Sequence, residues 1–211
     1  MIKVIGLGAG GHAKVIVEAL KLGKKYQVVG LLDADAALKG RRVLSVPVLG
    51  SDELLPKLYK QGIRHVFVGL GSVLSTEPHK KLFEKAKAHR FKVLTAIHPY
   101  SYVSPSAVIG EGSVVFAHAV IQTQAVIGKN VIVNSGAIIE HDCVIEDHAH
   151  VSVGAMLGGA VHVGSGAHIG LGACVLQGIK IGKNSVVGAG SVVLKNVPAN
   201  KIVAGVPAET L

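Results

Sequence analysis

The chain has 211 residues, 49% of them hydrophobic, with four Tyr, four Phe and no Trp. No apolar run reaches the ~18 residues of a membrane-spanning helix, and no leader-like charged and apolar segment opens the chain, so a cytoplasmic protein without membrane insertion is expected. The net charge is +9, but its Lys and Arg are dispersed without interleaved aromatics; they read as a solvated basic surface and not a nucleic-acid site, and phosphorylated small molecules would suit the charge as well as a polynucleotide would.

Ile2 to Gly6 is an apolar run ending in glycine, as expected of a buried parallel strand. Gly6-Leu7-Gly8-Ala9-Gly10-Gly11 follows and matches G-x-G-x-x-G. A helix is predicted from His12 to Lys21 or Leu22, then a strand from Gln27 to Leu32 that ends at Asp33. Val46 to Gly50 is short and extended, a helix starts at Ser51-Asp52-Glu53 and runs to Lys60, and His65 to Leu70 is a third strong strand. Glu77 to His89 reads as a helix and Phe91 to Ile97 as a last strand. The alternation predicts a small α/β domain with a parallel sheet over residues 1–97, about half of a full dinucleotide fold. Ligands of such sheets bind beyond the strand C-termini, where Gly8 to His12, Asp33 and Gly69 to Ser72 lie. Glycine backbone and a helix N-terminus suit a pyrophosphate, His12 could donate to it, and Asp33 has the spacing of an acid meeting a ribose hydroxyl. NAD is disfavoured because no dehydrogenase domain follows.

Residues 98–211 follow another rule. From Val103 to Val193 every sixth residue is a branched aliphatic, sixteen in phase, and Ala, Ser or Cys follows most of them four residues later. Period six fits neither helix nor ordinary strand; it is the hexapeptide β-helix repeat, three strands to a coil of about 18 residues. The tail from Lys201 to Leu211 is expected to cap it. Cys143 and Cys174 are 31 apart, out of phase with the coil, so no disulfide is expected.

Polar residues concentrate at Asn134-Ser135 and Glu140-His141-Asp142, with His148, His150, His162 and His168 beyond. His150 and His168, 18 apart, should stack on adjacent coils. Imidazoles from neighbouring coils could hold zinc. Alternatively, one histidine could act as general base for an amine or hydroxyl attacking a thioester, with a carboxylate orienting its ring. His141 followed by Asp142 supplies both groups, but adjacent residues on a strand diverge, so their pairing needs a corner. His118, His148 and His162 read as exposed repeat positions.

The whole chain resembles the hexapeptide-repeat (left-handed β-helix) acetyltransferases acting on nucleotide-linked 4-amino sugars, and their sialic acid O-acetyltransferase relatives. The resemblance is carried by Gly8-Ala9-Gly10-Gly11-His12, Leu32-Asp33, Gly69-Leu70-Gly71, Ile97-His98-Pro99, Asn134, Glu140-His141-Asp142-Cys143, His150 to Ala155, and Gly205-Val206-Pro207-Ala208. It implies a half-Rossmann-like α/β domain followed by a left-handed parallel β-helix, an acetyl-CoA-dependent N-acetyltransferase, a homotrimer with sites between subunits, and no metal. By resemblance, His141 is the general base, Asp142 its partner acid and Asn134 an active-site asparagine. His150, Gly159, Leu171 and Ala189 would meet acetyl-CoA; Gly10, Gly11, His12, Asp33 and Gly71 would meet a UDP- or GDP-linked sugar. Ala34 and Ser72 depart from relatives at positions expected to touch the nucleotide or sugar. The alternatives are sugar O-acetylation, a zinc enzyme like the γ-class carbonic anhydrases, and a non-catalytic nucleotide-binding scaffold.

Overall fold

The computed structural model describes residues 1–72 and 75–211. Two compact units result, Met1–Gly71 with Pro78–Pro99, and Ser72–Glu77 with Tyr100–Leu211.

The first unit opens with β1 (Ile2–Leu7), α1 (Gly11–Leu22) and β2 (Tyr26–Leu32). It continues with β3 (Arg42–Val43), β4 (Val46–Gly50), α2 (Leu55–Lys60), β5 (His65–Val68), α3 (Glu77–Ala88) and β6 (Lys92–Val93). The sheet order is β3-β4-β2-β1-β5-β6. All pairings are parallel except β3 with β4. The chain therefore winds outward from β1 in both directions, which makes the C-terminal end of β1 the topological switch point where such sheets bind ligands. Ile5, Leu7, Leu32, Val66, Val68, Phe83 and Phe91 form the core.

Two expectations are corrected here. The β3–β4 hairpin is unpredicted: its turn residues, Leu44 (φ 47) and Ser45 (φ 70), both take the left-handed conformation that hairpins usually give to Asn or Gly. The last strand is also shorter than Phe91 to Ile97, because pairing with β5 covers only Lys92–Val93, and Ala96–Ile97 is a separate extended piece.

The second unit is a left-handed parallel β-helix. All sixteen periodic aliphatics are the second residue of a two-residue strand. Strands pair in parallel with those 18 residues away, as in Val120↔Ile138↔Met156↔Cys174. The second strand residue points in and the first points out. Ile121, Ile139, Ile145, Val151, Leu157 and Ile169 are buried to 1% exposure or less. Each such side chain contributes roughly 1.5–3 kcal/mol, so this axial column is the main source of stability. At the corners from Gly112 to Gly190 the second turn residue takes a left-handed conformation; along one edge these are Gln124 (φ 56), Asp142 (φ 60), Ala160 (φ 57) and Gly178 (φ 72). After Val193, Ile202–Ala204 adds in parallel to Val186–Val187 and Glu209–Thr210 folds back antiparallel on it, closing the end. Both cysteines are free thiols; Cys143 is fully buried with Sγ donating to Gly158 O, and burial pushes its pKa up.

Candidate active site

In the first unit three loops meet at the C-terminal ends of β1, β2 and β5. Gly8 N–H donates to Leu32 O, and Gly69 N–H to Leu7 O at 2.7 Å. A Cβ on Gly8 would lie 2.8 Å from Gly69 C, and its φ is +114, so only glycine fits there. Gly10 and Gly11 differ: a Cβ on either would meet nothing within 4 Å. They cap and open α1, whose first N–H groups have no acidic side chain in the first turn.

Asp33 ties the loops together. Its Oδ2 accepts from Ala9 N at 2.8 Å and its Oδ1 from Asp35 N at 2.9 Å. Each carboxylate oxygen keeps a second lone pair for a hydroxyl. Cavities of about 640 Å³ and about 360 Å³ flank it, sharing Asp33 and Ala34; the larger carries Lys39 and Lys57, the smaller Lys81 and Lys85. Gly71 lies against the His12 ring. Burial lowers the His12 pKa to about 4, so near neutral pH its imidazole is uncharged and would offer a phosphate one N–H, not a cation.

In the β-helix, His141 and Asp142 are the two residues of a corner. The left-handed conformation of Asp142 turns its carboxylate back onto the preceding ring, and His141 Nδ1 meets Asp142 Oδ2 at 2.7 Å. This is the corner that the pairing requires, and Asp is among the residues that tolerate it best. The contact leaves Nε2 as the ring's other nitrogen, and the His141 side chain is 56% exposed. One coil further on, Gly159 lies under the ring; a Cβ there would be 2.6 Å from His141 Cε1 and 2.7 Å from Nε2. The shelf beside the imidazole is thus bare backbone.

Asn134 sits at the preceding corner. That corner's successive coils carry Val153, Leu171 and Ala189, all exposed. Gly172 N–H donates to Val153 O and Gly190 N–H to Leu171 O, stacking these turns. The predicted residues therefore divide between two edges of the prism: His141, Asp142 and Gly159 on one, Asn134, Leu171 and Ala189 on the other. His150 stacks on His168 in register, their ring centroids 4.8 Å apart. It is 6% exposed, with Nδ1 on Ser72 Oγ and Nε2 near Asn134 Nδ2. His168 Nε2 contacts Ser152 Oγ, and burial lowers the His168 pKa. Among the described residues no group of three His, Cys, Asp or Glu is placed to hold a metal ion.

Two of the three histidines expected to be generic surface positions have partners. His148 Nδ1 meets Asn130 Nδ2 at 3.0 Å, and His162 Nε2 meets Glu146 Oε1 at 2.7 Å. His162 and the Ser165 N–H hold the Glu146 carboxyl below its usual pKa. A spacing of 16 would have found Asn134–His150, Ser152–His168 and Glu146–His162. In each, the residue after one strand meets the first residue of the strand above, both facing outward, as diagonal same-face neighbours do.

A parallel β-helix with a His–Asp corner beside a backbone shelf, in a chain that also carries a glycine-loop α/β unit, defines a hexapeptide-repeat acyltransferase. Residues 3–86 match the PglD N-terminal domain family, and residues 160–195 the hexapeptide repeat of succinyl-transferase. The chain is 40% identical to PerB from Caulobacter crescentus, solved with CoA and GDP-perosamine, covering 99% of this chain and 97% of that one with a TM-score of 0.91. It is 37% identical to the acetyltransferase domain of PglB from Neisseria gonorrhoeae, solved with acetyl coenzyme A, covering 99% and 98% with a TM-score of 0.90. It is 39% identical over 113 residues to UDP-N-acetylbacillosamine N-acetyltransferase of Bacillus subtilis, 53% of this chain and 50% of that protein; the chain thus spans about half the length of that curated relative. The chain belongs to the family of hexapeptide-repeat nucleotide-amino-sugar N-acetyltransferases.

Proposed function

We propose that this protein transfers the acetyl group of acetyl-CoA to the amino group of a UDP- or GDP-linked 4-amino-deoxysugar. The observation that carries this reading is the His141–Asp142 contact of 2.7 Å over the Gly159 shelf. Asp142 accepts the Nδ1 proton of His141, which leaves the Nε2 lone pair outward, the atom a general base needs. Nε2 takes the proton from the sugar amine as its nitrogen attacks. Acetyl-CoA supplies the thioester carbonyl that the nitrogen attacks and the thiolate that leaves. Gly159 fits that group because a side chain there would fill the space beside Nε2. Leu171 and Ala189 offer an exposed stripe for the CoA arm, with Asn134, backed by the buried His150, at its far end.

In the first unit the open N–H groups at Gly10 and Gly11 suit the diphosphate. His12 and Gly71 border it, and the second lone pairs of Asp33 suit a ribose hydroxyl. Since His141 and Leu171 lie on different edges, a site using both is completed by a second copy, and we assign a homotrimer. Light scattering giving a monomer under assay conditions would contradict that assignment. Among the described residues no helix is long and apolar enough to cross a membrane, and we place the protein in the cytoplasm.

The test is thiol release from acetyl-CoA with a panel of UDP- and GDP-linked 4-amino sugars, with mass analysis of the product. An acetylated product that survives hydroxylamine is an amide and supports N-transfer. One cleaved by hydroxylamine is an ester and overturns it in favour of O-acetylation.

A further inference from the structure

Ser72 follows the glycines at the end of β5, where sequence alone places a nucleotide or sugar contact. The structure puts its side chain elsewhere. Ser72 is 7% exposed and its Oγ lies 2.7 Å from Nδ1 of His150, 78 positions along the chain. Four residues on, Thr76 Oγ1 donates to Gly166 O at 3.1 Å, so both ends of this short segment are fastened to the β-helix.

The hydrogen-bond directions follow from Asn134. Its Oδ1 accepts from Ser135 N–H at 2.8 Å, which fixes the carboxamide: a flipped amide would set NH₂ against N–H. Nδ2 therefore faces His150 Nε2, at 3.3 Å, and donates to it. Nε2 must then carry the lone pair and Nδ1 the proton, which is donated to Ser72 Oγ. The His168 ring stands edge to face on His150, with an interplanar angle of 87°, and holds the plane of the ring.

We propose that Ser72 is a positioning residue for the acetyl transfer: by accepting the Nδ1–H of His150 it favours the tautomer whose Nε2 accepts from Asn134 Nδ2, so the carboxamide, held at its oxygen by Ser135 N–H, is held at its nitrogen as well and keeps its second N–H for the ligand. This rests on the acetyltransferase reading, in which Asn134 belongs to the active site. It removes His150 from direct contact with acetyl-CoA, because both ring nitrogens are already engaged, and gives Ser72 a role in turnover instead of nucleotide affinity.

The experiment uses the full-length protein labelled with ¹⁵N-histidine. In the wild type, His150 should read as protonated at Nδ1 and bare at Nε2. Ser72→Ala should mix the two tautomers and lower kcat about tenfold, the scale of one lost buried hydrogen bond, with Kd for UDP and GDP unchanged. Ser72→Thr should restore both readouts, and Ser72→Val, of the same volume without the hydroxyl, should not. The proposal is overturned if wild-type His150 is protonated at Nε2, if Thr and Val behave alike, or if Ser72→Ala weakens UDP or GDP binding as much as it lowers kcat/KM. A wild type that acetylates no nucleotide-linked amino sugar would sink the acetyltransferase reading, while the tautomer readings, which need no substrate, still decide the Ser72 arrangement.

Discussion

Glycine does different work in the two units. In the β-helix, a Cβ on Gly170 would lie 2.6 Å from Ala189 N and Gly188 C, and one on Gly164 2.6 Å from Lys183 N. Those glycines let one coil's backbone rest on the next. In the α/β unit the motif splits: Gly6 and Gly8 are demanded by neighbouring residues, whereas Gly10 and Gly11 border open space. Close packing inside the chain explains the first kind. The second has no such neighbour within the chain, and the proposed diphosphate contact at the start of α1 would account for it.

Substitutions sharpen this contrast. Gly170→Ala should cost about 3 kcal/mol or more, a size reserved for overpacked sites, read as a large fall in Tm. Gly11→Ala, at the first position of α1, should leave stability unchanged or raise it by up to about 1 kcal/mol through helix propensity, while weakening UDP or GDP binding. A Gly11→Ala protein with unaltered nucleotide affinity would break the comparison.

Asp142→Asn keeps a residue that tolerates the corner but removes the carboxylate. It should lower kcat by about tenfold to a hundredfold, less than the roughly 10² to 10⁴-fold of losing the base itself, with little change in Tm. Unchanged turnover would show that the corner contact is architectural only.

Acid should act on the buried imidazoles. The folded-state pKa of His12 is depressed from 6.5 to about 4, so between these values the unfolded chain binds a proton that the folded chain does not. Stability is full above 6.5 and falls as pH drops through that window, by roughly 3 kcal/mol at most for this residue. His168, also lowered by burial, acts in the same direction. Glu146, held below 4.5, gives up its contribution only in stronger acid. His12→Asn should flatten the dependence of Tm on pH between 6.5 and 4; an equal slope in that variant would contradict the assignment.

The β-helix was legible residue by residue, because stacking selects branched aliphatics inward and mostly small residues at the corners. His141 and Asp142 were legible as a pair of groups, but their contact depends on the phase of the corner, which places Asp142 in the left-handed conformation. The β3–β4 hairpin was hidden because Leu44 and Ser45 are not the Asn, Asp or Gly that turns with two left-handed residues usually carry. Resemblance places Ser72 at a nucleotide or sugar contact; its bond to His150 spans 78 positions and follows no period. The polar pairs 16 apart were there to be found, since they follow from the coil length less one same-face step.

The most direct test of the account is the rate of thiol release by His141→Ala with acetyl-CoA and the best nucleotide-linked 4-amino sugar, alongside its Tm. The account predicts a fall in kcat of about 10² to 10⁴-fold with Tm unchanged, since the His141 side chain is 56% exposed and rests on the Gly159 shelf. A variant that turns over at the wild-type rate would contradict it.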